Sequence, residues 1–344
     1  MTFRRPLFHT LRRRRCKVTD LSTKYMGMRL ASPIVAASSG LTKSVEGVVR
    51  CAEAGAGAVV LKSIFEEQII AGVSDLMEKS EDSFWHPEAA DYIIQYGMEN
   101  EVDRTLALIR DAKAKTKIPI IASVHCVTPG TWVEFAGRIE KAGADALELN
   151  VFVLPSDPRR DGRANERVHF EILEAVKSRV SIPVSLKIGR FFSGFAGTVR
   201  ELADRGADGL VLFNRYAGMD IDTEKMTVVR AAPMSEPGEI AETLRWVGIL
   251  SGAVPCDIAA STGVHDGSAA VKALLAGAAA VQVCTALYRN GVGYIETMLR
   301  EMEAWMGRRG FSTVEDFRGK LRPCEGGNAA AYERVQFMKS SVEA

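Results

Sequence analysis

The stretch AGADALELN (142–150) sets the fold, because its pattern recurs as AGAGAVVLK (54–62), RGADGLVLFN (205–214) and AGAAAVQVCT (276–285). Each copy puts a glycine where a helix would end, adds small residues, and closes a short apolar run on a polar one. Glycine is favoured just past a helix C-terminus, since the left-handed backbone there meets no Cβ. The four stretches therefore read as helix-to-strand junctions. A second type of entry lies between them: KIPIIASVH (117–125), SIPVSLKIG (181–189) and VPCDIAAST (254–262), with proline placed before ladder hydrogen bonds are needed. With PIVAASSG (33–40) they give eight predicted strands, near 33–38, 57–62, 118–124, 145–151, 182–188, 208–213, 256–261 and 279–284. Helical patterns separate most of them, as at 131–142, 165–178, 196–205, 266–276 and 292–307. Apolar strands alternating with amphipathic helices specify parallel βαβ units, and eight units predict an α/β protein, a closed (β/α)8 TIM barrel. An open doubly wound sheet is the rival, but no G-x-G-x-x-G follows an early strand. The connections 63–100, after strand two, and 215–238, after strand six, are too long for simple turns. They are read as covers over the catalytic face.

The 344 residues accommodate such a barrel, which uses about 250. Apolar residues at 47% and charged ones at 25% fit a globular protein with a large core. The net charge of +1 supplies no field that would recruit nucleic acid. Cys16, Cys51, Cys126, Cys256, Cys284 and Cys324 form no C-x-x-C pair, which argues against a metal site and for reduced thiols in the cytoplasm. No apolar run reaches the length of a membrane span. Residues 1–19 are rich in arginine and free of acid, and lack the apolar core of a signal peptide. They are expected to be a disordered basic extension, with residues 20–344 forming the barrel.

A barrel presents its chemistry at the C-terminal ends of its strands. Those ends carry Ser38, Lys62, Ser63, Ser123, His125, Asn150, Lys187, Asn214, Ser261, Thr262, Gly263, Cys284 and Thr285. One polar end is ordinary half-solvated chain; eight of eight point to a site. Lys62 and Lys187 stand on otherwise apolar strands, and lysine is rarely buried without a partner. One reading is a Schiff-base lysine of an aldolase-type lyase. The other is a fixed cation beside a cofactor that gains negative charge, such as the N1/O2 edge of a reduced flavin. The segment AASTGVHDGSAAVKALL (259–275) ends strand seven in small residues and opens a helix at Asp266-Gly267-Ser268. With CTALYRNG (284–291) on strand eight it suggests a phosphate site in the usual barrel position.

The ordered set SPIVAASSG (32–40), VVLKS (59–63), ALELN (146–150), VSLKIG (184–189), IAASTGVHDG (258–267), CTALYRNG (284–291) and FSTVEDFRGKL (311–321) resembles the dihydroorotate dehydrogenase family. The likeness spans roughly residues 20–320. VLKSIFEEQI (60–69), NVFVLPSD (150–157) and AYERVQFMK (331–339) are similar to its bacterial dihydroorotate dehydrogenase-like group. The resemblance implies an FMN-dependent oxidoreductase that passes hydride from a small CH–CH substrate, by default dihydroorotate in pyrimidine biosynthesis, to flavin N5. It places Ala37 and Ser38 near the flavin, Lys62 and Asn150 on its polar edge, and Lys187 at N1/O2. Ser261, Thr262, Gly263, Cys284 and Thr285 would hold the phosphate, and Asn214 would contact substrate. The family often forms homodimers. The electron acceptor is open, without a cysteine cluster for an iron–sulfur centre or an anchor for a membrane quinone.

The chain departs from the family just after Asn150. The family carries a cysteine or serine there as the base that removes the substrate's C5 proton, whereas this chain carries Val153. Substitute bases are Ser156 and Asp157 on the same loop and His125 at the end of strand three; as plain structure, His125 is a core histidine and Asp157 a turn cap. Arg215, beside Asn214, either grips a substrate carboxylate or anchors the long loop. The rival functions are a Schiff-base or other phosphate-binding lyase, and an FMN-binding barrel that has lost its chemistry.

Overall fold

A computed structural model of the chain describes residues 19–65, 102–125, 129–216, 218–323 and 330–333. The basic extension up to residue 18, residues 66–101 of the first long connection, and Cys16, Cys126 and Cys324 lie outside the described residues. Eight parallel strands close into a ring: β1 (Ile34–Ala36), β2 (Ala58–Val60), β3 (Ile120–His125), β4 (Ala146–Val151), β5 (Val184–Ile188), β6 (Gly209–Leu212), β7 (Asp257–Ser261) and β8 (Ala280–Val283). Each pairs with its neighbours in chain order, and β8 closes on β1 through Val281↔Ile34 and Val283↔Ala36. All eight overlap their predicted windows. Intervening helices include Val45–Glu53, residues 102–115, Pro129–Lys141, Gly162–Lys177, Phe195–Asp204, Ile240–Leu250, Gly267–Ala276 and Tyr294–Arg309.

The repeated junction has a physical reason at each of its positions. Gly55, Gly143, Gly206 and Gly277 all take positive φ, between 91° and 116°, which turns the helix exit back toward the barrel. The aspartate that follows in two copies ties neighbouring elements together. Asp145 accepts the backbone N–H of Ile120 at 2.7 Å and the Lys113 ammonium at 2.7 Å. Asp208 repeats the arrangement with Val184 N–H at 2.8 Å and Lys177 at 2.7 Å. Each carboxylate thus ties the entry of the preceding strand to the end of the helix that leads into that strand.

A hairpin that the sequence pattern did not announce, Thr23–Tyr25 with Met28–Leu30, plugs the N-terminal end of the barrel. Tyr25, Met26 and Leu30 pack against the inward-facing Val35, Val60, Ile121, Val211 and Ala259. The plug is fastened by the Met26 N–H to Asp257 Oδ2 at 2.8 Å and by the Thr23 hydroxyl to the Ala279 carbonyl at 3.1 Å. A larger apolar layer lies between the strands and the helices. Burial of each such aliphatic side chain contributes roughly 1.5–3 kcal/mol. The N-terminal end is therefore closed and apolar, and the polar strand ends gather at the other. The connection after β6 carries a second hairpin, Met219–Asp222 with Thr227–Arg230.

Candidate functional site

Strand register brings the predicted polar residues to one level. His125 on β3 pairs with Asn150 on β4, and Asn150 with Lys187 on β5. Paired positions of parallel strands share a face, so the three form a row across the barrel mouth. Of this row Lys187 alone, and not His125, is among the described residues that line a cavity, with Ala37 and Ser38 after β1 and Asn214 and Arg215 after β6. Ser261, Thr262 and Gly263 close it from β7, and Cys284 and Thr285 from β8. Asn150 joins through its side chain, since Asn214 Nδ2 donates to Asn150 Oδ1 at 2.7 Å. Lys62 lies exposed just beyond β2, so the premise of a buried lysine does not hold there.

Lys187 is held from below. Its ammonium donates to Gln282 Oε1 at 3.0 Å, and Gln282 Nε2 donates to Glu148 Oε2. Glu148 and Gln282 are 1% and 2% exposed. Burial pushes the Glu148 carboxyl up, against the pull of Lys187 and the Gln282 hydrogen bond. Sequence reasoning assigned no role to Glu148 or Gln282. The available signal was phase: Gln282 sits one strand period before Cys284, hence on the same inner face. On the opposite wall three hydroxyls form a chain, Ser38 to Ser63 at 3.0 Å and Ser63 to Ser123 at 2.7 Å.

The anion end differs from the sequence reading in one respect. The helix Gly267–Ala276 was expected to offer its N-terminus, but two of the first-turn N–H groups are already taken within the fold. Asp266 accepts the Ala269 N–H at 2.7 Å, and Glu301 accepts the Gly267 N–H at 2.7 Å. What faces the cavity instead is the turn before it, with Thr262 at φ 74° and Gly263 at φ 77°. The Thr262 hydroxyl donates to the Phe213 carbonyl at 3.0 Å. A Cβ on Gly263 would lie 2.2 Å from the Ile240 backbone nitrogen, so this turn receives the start of the helix Ile240–Leu250 at contact distance. Ser235 and His265 were not anticipated: the buried Ser235 hydroxyl bridges Thr285 Oγ1 at 3.0 Å and His265 Nε2 at 3.1 Å. Burial lowers the His265 pKa, with Arg289 acting in the same direction. Burial also pushes the Cys284 thiol up.

Aromatic rings occupy the ground beside Val153. Phe152 stacks on Tyr216 with centroids 5.0 Å apart and rings 15° from parallel, while Phe191 stands edge-on to both. Val153 is half-buried, and Ser156 and Asp157 are exposed. The structure does not bring either to the cavity. Asp157 accepts the Arg159 N–H at 3.0 Å and the Arg159 guanidinium, which holds its carboxyl below the usual range. It caps the turn that leads into the helix Gly162–Lys177. Arg215 bonds Glu239 at 3.0 Å and the carbonyls of Ala232 and Pro233 at 3.2 and 3.1 Å, anchoring the connection that carries Ser235.

Comparison with known proteins gives consistent relatives. Residues 20–306 match the dihydroorotate dehydrogenase family. The chain is similar to the catalytic subunit of dihydroorotate dehydrogenase B (NAD(+)) of Thermoplasma acidophilum, 29% identical over 88% of this chain and 99% of that protein. The corresponding protein of Methanosarcina mazei is 29% identical over 85% of this chain and 92% of its own length. The chloroplastic dihydropyrimidine dehydrogenase (NADP(+)) of Arabidopsis thaliana is 25% identical over 87% of this chain and 76% of its own.

Proposed function

The chain belongs to the dihydroorotate dehydrogenase family and is an oxidoreductase acting on CH–CH groups, and from that premise we propose that it binds FMN at the barrel mouth and oxidises dihydroorotate to orotate. The observation that carries this reading is the convergence of Lys187, Asn214, the Ser261–Gly263 turn and Thr285 on one cavity. Among its described lining residues there is no carboxylate, while two are cations, Lys187 and Arg215. That donor set suits a phosphate at one end and an electron-rich ring edge at the other. Ser261, Thr262, Gly263, Cys284 and Thr285 would hold the phosphate. Lys62, Asn150 and Lys187 would hold the polar ring edge, with Ala37 and Ser38 beside the ring and Asn214 toward substrate. When bound, FMN supplies a hydride acceptor at N5.

The protein's own contribution is orientation, fixed charge and a proton acceptor. Lys187 is kept in place by Gln282 and so offers a preorganised positive charge, which loses nothing to reorganisation during reaction. A base typically contributes 10²–10⁴-fold. Of the three substitute bases, His125 is best placed, because it stands level with Asn150 at the mouth, whereas Ser156 and Asp157 face solvent. A lyase working through a Schiff base is disfavoured: Lys187 is engaged by Gln282, and Lys62 is exposed. A dihydropyrimidine without a carboxylate is the second substrate reading. The Arabidopsis similarity favours it, as does the commitment of Arg215 to Glu239.

The test is the visible spectrum of the purified protein, followed by anaerobic mixing with dihydroorotate or dihydrouracil. A yellow protein bleached by dihydroorotate is the expected outcome, and bleaching by dihydrouracil alone moves the assignment to the second reading. A preparation that stays colourless after incubation with FMN overturns the cofactor. Bound flavin that neither compound reduces overturns both substrate assignments.

A further inference from the structure

Beneath the cavity floor lies a polar layer that hydride transfer, as set out above, leaves without a task. Its centre is Glu148, buried on β4 with Oε2 held by Gln282 and Oε1 without a hydrogen-bond partner among the described residues. Buried carboxyl oxygens are nearly always satisfied, so an orphan in a barrel centre calls for a reason. A protonated carboxyl would tolerate the site with least penalty, and an ionised one needs the help of a cation.

The surroundings of Glu148 define which charge it responds to. Strand β3 contributes Ser123, paired with it in register, and β5 contributes Ser185, also paired, and Lys187. Strand β8 contributes Gln282. The plug contributes Tyr25, whose phenol is pushed well above its usual value by burial first and by the Glu148 charge second. Lys187 therefore supplies the positive charge, and the Gln282 amide joins it to Glu148 with its oxygen on the ammonium and its NH2 on the carboxylate. This orientation is favourable only while a cation and an acceptor stand at its two ends. A run of hydroxyls on the neighbouring strands leads from the cavity toward Glu148 without bonding it. The hydroxyl chain Ser38–Ser63–Ser123 starts in the cavity lining and ends at the residue paired with Glu148.

We propose that Glu148 takes up a solvent proton when negative charge arrives beside Lys187, so that reduction at the cavity is coupled to protonation inside the barrel. The proposal rests on the flavin reading above. Before reduction, the ammonium supports the Glu148 carboxylate through Gln282. Once electron density accumulates at the ring edge, the same ammonium is shared between two anions. Burial then outweighs what support remains, and the carboxylate becomes the acid. The electrons balance: a hydride brings two electrons to the ring, one solvent proton joins Glu148, and no other reactant is needed. By linkage the effect is reciprocal, so protonating Glu148 favours the reduced state. Glu148 touches neither ring nor substrate; it is a positioning residue that acts through Gln282 and Lys187.

The test measures the reduction potential of the FMN-loaded full-length protein against pH by equilibration with a reference dye, which needs no substrate. In the wild type the plot should contain a segment whose slope corresponds to one additional proton per two electrons. Glu148→Gln should lack that segment, lie above the wild type at high pH, and converge with it at low pH, where both side chains are neutral. Glu148→Asp keeps a carboxyl and should restore the segment at a shifted pH. It also decides the matter if Glu148→Gln does not take up flavin, because an unchanged plot for Glu148→Asp would overturn the proposal. Parallel curves for wild type and Glu148→Gln overturn it as well. A wild-type protein that binds no FMN would instead remove the flavin reading on which the proposal stands.

Discussion

Gly263 shows how little freedom the anion end has. A Cβ there would stand 2.2 Å from the Ile240 nitrogen and 2.7 Å from its Cα, and the backbone φ of 77° is itself unfavourable for an L side chain. Backbone atoms cannot yield as a flexible side chain can. Gly263→Ala should therefore push back the start of the helix Ile240–Leu250 and cost roughly 2 kcal/mol or more, the range typical of strain at special backbone positions. Thermal unfolding without ligand would measure that loss. Fluorescence titration with FMN should show affinity lowered at least about tenfold, since one pKd unit corresponds to only about 1.4 kcal/mol. A variant as stable as wild type and equally avid for FMN would remove the turn from the cofactor site. Thr262 shares the positive φ without being glycine, and its hydroxyl bond to the Phe213 carbonyl is what holds it there.

The recurrent junction behaves as a unit at the scale of elements. Asp208 accepts a strand N–H and a helix lysine at once, and the two bonds differ in worth. The Lys177–Asp208 pair has side chains 28% and 36% exposed, so solvent screens it and it should contribute under about 1 kcal/mol. The Val184 N–H would be left unsatisfied without the carboxylate, a loss of about 1–3 kcal/mol. Asp208→Ala should accordingly lower the urea midpoint clearly more than Lys177→Met, and equal losses would refute this division. These junctions were legible in the sequence because glycine, aspartate and the apolar run recur at fixed spacing. The plugging hairpin was not, since its strands Thr23–Tyr25 and Met28–Leu30 are three residues each, too short to display a period. The path after Val151 was equally opaque: whether Asp157 turns inward or caps Arg159 depends on side-chain bonds that no spacing reveals.

Across the whole molecule, the closed ring explains why the site could be read so far from sequence. Closure sends every strand's C-terminal end to one rim, so residues far apart in the chain had to meet there once eight strands were counted. Depth was harder to read, because Glu148 and Gln282 are recognised as partners only when β4 and β8 face each other across the interior. The same buried groups set how stability follows pH. His169, buried on the helix Gly162–Lys177, has its pKa lowered by burial to about 4. The unfolded chain, with an ordinary value near 6.5, binds the extra proton first. Stability from His169 is thus complete above that value and lost as pH falls toward 4, by up to roughly 3 kcal/mol. Glu148 works in the opposite sense. Its raised pKa means that the unfolded chain sheds the proton first, so its contribution is present in acid and lost as pH rises through the folded value. Burial raises Asp257 in the same direction. Between about 4.5 and 6.5 the His169 and Glu148 contributions therefore slope in opposite senses with pH. Urea midpoints measured across that range should fall more steeply with rising pH in His169→Gln than in the wild type, and rise more steeply in Glu148→Gln. If either variant kept the wild-type slope there, that residue would not be a buried group that sets it.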